Sequence, residues 1–482
     1  MLEYISTRGN ASPVRFDQAV LQGFAPDGGL FVPRTIPELP GPVLARLPEL
    51  SYTQIVFEML SLFIDEQIVP KPDLTRLIEK SFSTFEPDDV LPVVPLDGSG
   101  RLYSMELFHG PTLSFKDIAM GFLMNIMDYF LDKQGRHLSI ILATTGDTGP
   151  AAAFAAAGKP TIDCWPLYPS GMISKEQRLQ MTTLDAPNIH PAAAAGCLNG
   201  GDDIDLVVAS LFSKPALKKS LNLSSVNSIN WCRVMVQAAH YAYAYSRVAG
   251  TPGGSVDICV PSGAFGNLFA GFLARKMGIP IRRLICANNA NQTLHTVFST
   301  GVFKAGDLKT TVSSAIDIVI PYNFWRFLYF CCGCDGLRLA RYMDEFEQNG
   351  EIRLDPADWA AARNGFVSMS VTDDQTLDAI RTFWAEKHYL LDPHSAVAVH
   401  AAQTMQARDE SPVKTVCLAT AHPAKFPDVI RTALGPGVPL PDPAMHPSIK
   451  AAENLAENLE TCEIGELESF LIRDIGQVVK KR

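Results

Sequence analysis

A chain of 482 residues, 47% of them hydrophobic and 19% charged, can bury a large core spread over two or three domains. Its formal net charge of −10 excludes a nucleic-acid binder held by a basic surface, so any anion must be caught by a local site. No basic segment followed by an apolar one opens the chain, the longest apolar stretch (118–131) is broken and too short for a bilayer, and ten scattered cysteines suit a reducing compartment. A cytoplasmic protein without membrane or nucleic-acid partners is therefore expected, either a monomer or a homodimer. Cys331, Cys332 and Cys334 form the one cysteine cluster; with no second Cys or His pair at zinc-like spacing, no metal is expected, and the cluster reads as packing at a helix end.

Residues 1–95 read as an N-terminal domain, with a tight turn at Asp27-Gly28-Gly29 and helical spacing over 53–65 and 72–82. The stretch 85–97, carrying Pro87, Pro92 and Pro95, reads as its boundary. Residues 96–445 then form the main domain. A loop at Gly110 and Pro111 runs through Ser114 and Phe115 into Lys116 and Asp117, where a helical stripe of Ile118, Phe122, Ile126 and Phe130 begins. Lys116 falls in the first turn of that helix. The positive end of the helix dipole and apolar Phe115 both disfavour a cation there and push the amine towards its neutral form. A neutral amine is what a Schiff base with an aldehyde cofactor requires, whereas the bland reading is a surface lysine at a helix start.

A strand from Leu138 to Ala143 ends in Thr144-Thr145-Gly146-Asp147-Thr148-Gly149, and an alanine-rich helix (151–157) follows. Strand, glycine loop and helix are the unit of a parallel sheet, and the loop is an anion site at a helix N-terminus. A second strand, Thr161 to Leu167, precedes a polar helix with Ser174, Gln177 and Arg178; residues 192–205 read as a flexible loop. Beyond Asn227, the side chains of Arg233, Gln237 and Tyr241 share one helix face, either a solvated stripe or a face aimed at an anion. The strand from Val256 to Val260 feeds Gly263, Ala264, Phe265, Gly266 and Asn267. This is the better phosphate cradle, because its glycines let the backbone approach closely. Val416 to Thr420 is a late strand, and residues 446–482 read as an exposed amphipathic helical tail. The alternation of strands and helices from 137 to 435 predicts a doubly wound α/β architecture with ligands at the carboxyl ends of the strands.

Many ordered motifs resemble the threonine synthase family of pyridoxal-phosphate enzymes, fold type II. They are Ser6-Thr7-Arg8-Gly9, Ala25 to Leu30, Glu106 to Asp117, Thr145 to Gly149, Gln180 to Thr183, Asn227 to Trp231, Gly263 to Asn267, Asp392-Pro393-His394 and Thr420 to Phe426. The resemblance implies a tryptophan synthase β-like fold in two lobes behind the smaller N-terminal domain. It implies that Lys116 carries pyridoxal 5′-phosphate as a Schiff base, the loop 263–267 holds the cofactor phosphate, Thr420 faces the ring nitrogen and Asp147 lies beside the 3′-oxygen. Thr144, Thr145, Gly146 and Thr148 would take the substrate carboxylate, and Ser174, Gln177, Asn227 and Arg233 are the candidates for the phosphate of a phosphorylated amino acid. The implied reaction turns O-phosphohomoserine and water into L-threonine and phosphate.

Ala264 stands where the family loop usually has Asn, Thr145 where it has Ser, and Gly200-Gly201-Asp202-Asp203 near the usual Phe-Asp-Asp-Cys-Gln run. These departures, with Pro321-Tyr322-Asn323 and Leu390 to Val397, also resemble the threonine synthase-like proteins of animals. They imply the alternative of a phospho-lyase releasing 2-oxobutyrate, ammonia and phosphate from O-phosphothreonine or O-phosphohomoserine. A non-catalytic regulatory protein of the same fold is the third reading, opposed by intact Lys116, Asp147 and Thr420.

Overall fold

The computed structural model describes residues 2–86, 89–249, 253–409 and 411–481; Pro87 of the expected boundary lies outside the described residues. Two sheets carry the fold. One has six strands in the order Phe366–Ser370, Ile281–Asn288, Val256–Pro261, Lys414–Ala419, Leu102–Glu106, Val93–Pro95, all parallel except the last. The other has five parallel strands in the order Glu460–Glu463, Ala192–Ala195, Ile162–Pro169, Leu138–Ala143, Leu223–Ser224. Helices cover both, so the inner strands are buried on both faces and largely apolar, as the run Ile140–Leu142 within Leu138–Ala143 is. The α/β doubly wound class expected from the alternation is what forms.

Two long helices fill the space that positions the site. Lys116–Gln134 stops where Gly135 takes a left-handed conformation, and its stripe of Ile118, Phe122, Ile126 and Phe130 is buried. Each such side chain contributes roughly 1.5–3 kcal/mol by leaving water. Trp231–Val248 is capped by the Asn230 side chain and is buried on nearly every side, which its alanines and tyrosines allow. A single apolar cluster joins Tyr4, Phe16, Phe63 and Phe82 of the N-terminal segment to both helices, so residues before 86 are packed into the main core.

The C-terminal segment is not an exposed tail. Glu460–Glu463 pairs with Ala192–Ala195 as the edge of the five-stranded sheet. Helix Leu467–Lys481 buries Leu467, Phe470, Leu471 and Ile475 against Ile141, Trp165 and Leu167, and the Trp165 indole N–H donates to Asp474 at 2.7 Å. An amphipathic helix with a continuous apolar stripe is stable once that stripe is covered, and the sheet covers it. The expected loop at 192–205 likewise becomes the strand Ala192–Ala195 and the start of helix Gly201–Phe212. Among the described residues no helix is long and apolar enough to cross a membrane, and no three His, Cys, Asp or Glu side chains gather as metal ligands.

Candidate active site

Four loops leave the carboxyl ends of strands and meet. After Leu102–Glu106, residues 107–115 turn back so that the Phe115 N–H donates to the Thr420 carbonyl at 2.9 Å, tying this loop to the end of Lys414–Ala419. Gly110 is needed here, since a Cβ on it would stand 2.6 Å from the Asp117 side chain. Asp117 lies in the first turn of the helix, and its carboxylate accepts from the backbone and hydroxyl of Thr112, 2.9 and 2.6 Å away. Lys116 opens the helix, with Nζ 4.7 Å from the centre of the Phe115 ring. Burial lowers the pKa of Lys116 to about 8, helped by Arg233 and Lys425 and opposed by Asp147. The two cations add to the desolvation that Phe115 foretold.

In the loop after Leu138–Ala143, the Thr144 hydroxyl accepts from the N–H groups of Gly146 and Gly149 at 3.1 and 3.0 Å. Gly146, at φ +139°, leaves room for Gln177, whose amide donates to Asp147 at 2.9 Å. Lys425 donates to the same carboxylate at 2.8 Å and to the Thr112 carbonyl at 2.8 Å. Burial would raise the Asp147 pKa, but Lys425, His394 and the hydrogen bonds from Lys425 and Gln177 outweigh it and hold the carboxyl below its ordinary value. Lys425 lay in the quoted Thr420 to Phe426 stretch with no role attached to it.

The loop after Val256–Pro261 passes into helix Gly266–Lys276 through Phe265, a non-glycine residue at φ +65°. Packing of its ring against Phe298, Phe324, Phe327 and Phe366 holds that strained backbone. A Cβ on Gly263 would stand 2.9 Å from the Ile316 backbone, so only glycine leaves the chamber open there. Asn267 turns its oxygen to His240 and Tyr241, at 2.9 and 3.0 Å.

These loops enclose two chambers with a shared wall. The first is lined by Lys116, Asp147, Ser228, Arg233, Gln237, residues 261–267, Ala315, Ile316, Ile318, His394 and Thr420. The second, the roomier of the two, is lined by Thr144, Thr145, Thr148, Ser225, Asn227, Asp202, Asp205 and Tyr322 among others. Lys116, Ser228 and Ala264 border both. In the first chamber, Arg233 Nε and Asn267 Nδ2 are buried donors without a protein partner among the described residues. Each would cost roughly 1–3 kcal/mol unless a ligand accepts from it. With the helix N-terminus at Gly266, they make an acceptor-hungry cradle suited to a phosphate. At its margin, His394 donates from Nδ1 to Asp392 at 2.8 Å and accepts the Ala315 N–H at Nε2, 3.1 Å, which fixes the wall of both chambers.

Of the residues singled out from sequence, Lys116, Asp147, Gly263, Ala264, Phe265, Gly266, Asn267 and Thr420 line the first chamber, and Thr144, Thr145, Thr148 and Asn227 the second. Three of the four candidates for a substrate phosphate fall elsewhere. Ser174 and Gln177 cap helix Lys175–Thr182 reciprocally and line neither chamber. Arg233 faces the first chamber, because helix Trp231–Val248 packs alongside Gly266–Lys276 and turns that face towards the glycine loop. Ser228, Lys425 and the carboxyl pair Asp202 and Asp205 were not singled out as site residues. Burial, then the neighbouring Asp202, raises the Asp205 pKa to about 7.

Three family models match the chain: Threonine synthase N terminus over residues 3–82, Pyridoxal-phosphate dependent enzyme over 91–421, and Threonine synthase, C-terminal over 395–470. A threonine synthase of Schizosaccharomyces pombe is 36% identical over 465 residues, covering 90% of this chain and 89% of its own. A threonine synthase-like 2 protein of Xenopus laevis is 39% identical over 444 residues, covering 91% and 92%. The crystal structure of a threonine synthase from Brucella melitensis with bound pyridoxal phosphate superimposes with a TM-score of 0.89 at 34% identity, covering 99% of this chain and all of that one.

Proposed function

We propose, on the premise that this chain belongs to the threonine synthase family of pyridoxal-phosphate-dependent enzymes, that it converts O-phosphohomoserine and water into L-threonine and phosphate. The observation that carries this reading is Lys116 on the wall shared by the two chambers, its amine lowered to about 8. The first chamber fits pyridoxal phosphate: the cradle at 263–267 with Arg233 and Asn267 suits the phosphate, and Lys116 suits the aldehyde carbon. When bound, the cofactor holds the substrate amine covalently and withdraws electrons from Cα.

The chain's own residues do the rest. Lys116, once its amine is free, would take the proton from Cα and then one proton from Cβ, while phosphate leaves Cγ with the electron pair of its C–O bond. A proton returned to Cγ makes the methyl group, water adds its oxygen at Cβ, and Cα regains a proton. One amine that both takes and gives protons must have a pKa near the working pH, which its setting supplies. Thr420, on the wall of the first chamber, would offer a hydroxyl to the ring nitrogen. Asp147, kept ionised by Lys425 and Gln177, would stand beside the 3′-oxygen. Thr144, Thr145 and Thr148 would bind the substrate carboxylate, whereas Gly146 lines neither chamber and shapes their loop by donating its N–H to the Thr144 hydroxyl; Asn227 with Ser225 borders the space for the substrate phosphate. Ser174 and Gln177 support this wall from behind, and Arg233 serves the cofactor phosphate. Ten cysteines, none paired with another, suit a cytoplasmic setting.

Ala264 favours a second reading. It presents only a methyl group where the chambers meet, leaving less control over the reacting Cβ. A phospho-lyase would result if the unsaturated product left before water added. Incubation with O-phosphohomoserine, and in parallel with O-phosphothreonine, decides between them. Threonine and phosphate are expected from the former; 2-oxobutyrate and ammonia as main products would overturn the synthase reading.

A further inference from the structure

Arg326 lies fully buried beside the first chamber, with no carboxylate partner among the described residues. Its guanidinium donates to the carbonyls of Phe31 at 3.2 Å, Ser228 at 3.4 Å and Ile229, and to the side-chain oxygen of Asn323. The amide nitrogen of Asn323 donates in turn to the Ser228 hydroxyl oxygen at 2.9 Å and approaches the Ala264 carbonyl at 3.4 Å. The direction of this chain is fixed by chemistry. A guanidinium has only donors, so Asn323 must turn its oxygen to Arg326 and its nitrogen to Ser228. The Ser228 oxygen is then an acceptor, and its own proton has no acceptor in the protein among the described residues. Ser228 borders both chambers, and a Cβ on Gly266 would stand only 3.1 Å from the Ser228 Cβ, so the hydroxyl belongs beside the glycine loop.

We propose that Ser228 donates its hydroxyl proton to the phosphate monoester seated on the loop 263–267, and that Arg326 and Asn323 are positioning residues that set the direction of that hydrogen bond. This rests on reading the loop as the cradle of the cofactor phosphate. The relay passes part of the field of a buried cation to the anion through two neutral groups, and it also fixes the spacing between the Ser228 turn and the loop.

The test measures binding of pyridoxal phosphate and of pyridoxal, which lacks the phosphate, to the cofactor-free protein; the ratio of the two affinities isolates the phosphate contribution. Ser228→Ala removes the donor. Asn323→Asp keeps the contact to Arg326 as an ion pair but cannot donate to Ser228, so the serine proton turns to the aspartate. In each variant the ratio is expected to fall about tenfold, the usual scale for one hydrogen bond to a charged group, with pyridoxal affinity and thermal midpoint close to wild type. A merely structural role for Arg326 and Asn323 would leave the ratio unmoved. An unchanged ratio in Ser228→Ala overturns the proposal whatever Asn323→Asp does. A rise in KM for the phosphorylated substrate at an unchanged ratio also overturns it, by assigning the hydroxyl to the second chamber. Gly266→Val separates the two ideas: if it keeps the wild-type ratio, the cradle reading itself fails, whereas a collapsed ratio there with an intact one in Ser228→Ala sinks the relay alone.

Discussion

Replacing Lys425 by methionine should expose how Asp147 is held. Lys425 and Asp147 are both buried, and their closest N–O distance is 2.8 Å. At an effective dielectric constant of about 20 that separation corresponds to an attraction of roughly 6 kcal/mol, partly cancelled by the desolvation both groups have undergone. Methionine fills the space but leaves the Asp147 carboxylate with only the Gln177 amide and the nearby His394, so the expected loss of stability at pH 8 is about 3–5 kcal/mol. The sign of the pH dependence is the sharper part. In the wild type the Asp147 pKa lies below its unfolded value, so its contribution is fully present above the unfolded pKa and is lost only as pH falls through the folded one. Without Lys425, burial dominates and the folded pKa rises above the unfolded value, so the variant loses stability as pH rises through it. The deficit should therefore shrink between pH 8 and pH 5. Urea unfolding of cofactor-free protein, followed by tryptophan fluorescence across that range, measures it. Lys425→Met combined with Asp147→Asn should recover most of the loss, because no buried charge is then left alone. A deficit under about 1 kcal/mol that is flat with pH would refute the reasoning.

Borohydride treatment of the cofactor-loaded protein should fix the cofactor on the peptide containing Lys116; a label on another peptide would remove that lysine from its role. Lys159, whose amine donates to Asn125 at 2.6 Å, has its pKa lowered to about 8 by burial and by Lys80, against Asp128. Relative to Lys159→Met, the wild type should gain stability as pH rises from about 8 to the unfolded lysine value, by up to about 3 kcal/mol, and parallel stability curves would contradict the assigned burial.

What the sequence disclosed, and what it hid, follows from the range of the interactions involved. The glycine and threonine loops at 144–149 and 262–267 are visible because strand, turn and helix signals lie within a dozen residues of one another. Lys116 is visible for the same reason. The strand Ala192–Ala195 carries no β-branched residue and is strand only because Ile162–Pro169 and Glu460–Glu463 pair with it from far away in the chain. Glu460–Glu463 is itself polar, as an edge strand can be, so its pattern matched a tail. For Arg233 the helical period correctly gave the face it shares with Gln237, but periodicity does not say which chamber a face will meet. Lys425 had no local signal at all: a lysine in a Pro-rich turn becomes the counter-ion of Asp147 only when the ends of two strands from different sheets come together.

The distribution of charge around the first chamber ties these residues into one device. Lys116, Arg233, Lys425 and Arg326 bring four basic groups to its walls or immediate surroundings, and Asp147 neutralises one of them. Such an excess is costly in a buried place unless an anion compensates it, and a phosphate dianion on the glycine loop is of the right size and sign. The same excess lowers the lysine amine towards the range where it can exchange protons near neutral pH. Filling the cradle with phosphate offsets part of that repulsion, but burial is the largest cause of the lowered Lys116 pKa and does not depend on the anion. The arrangement can therefore hold a doubly charged phosphate on the glycine loop and still keep the Lys116 amine, on the wall that the two chambers share, in the range where it exchanges protons.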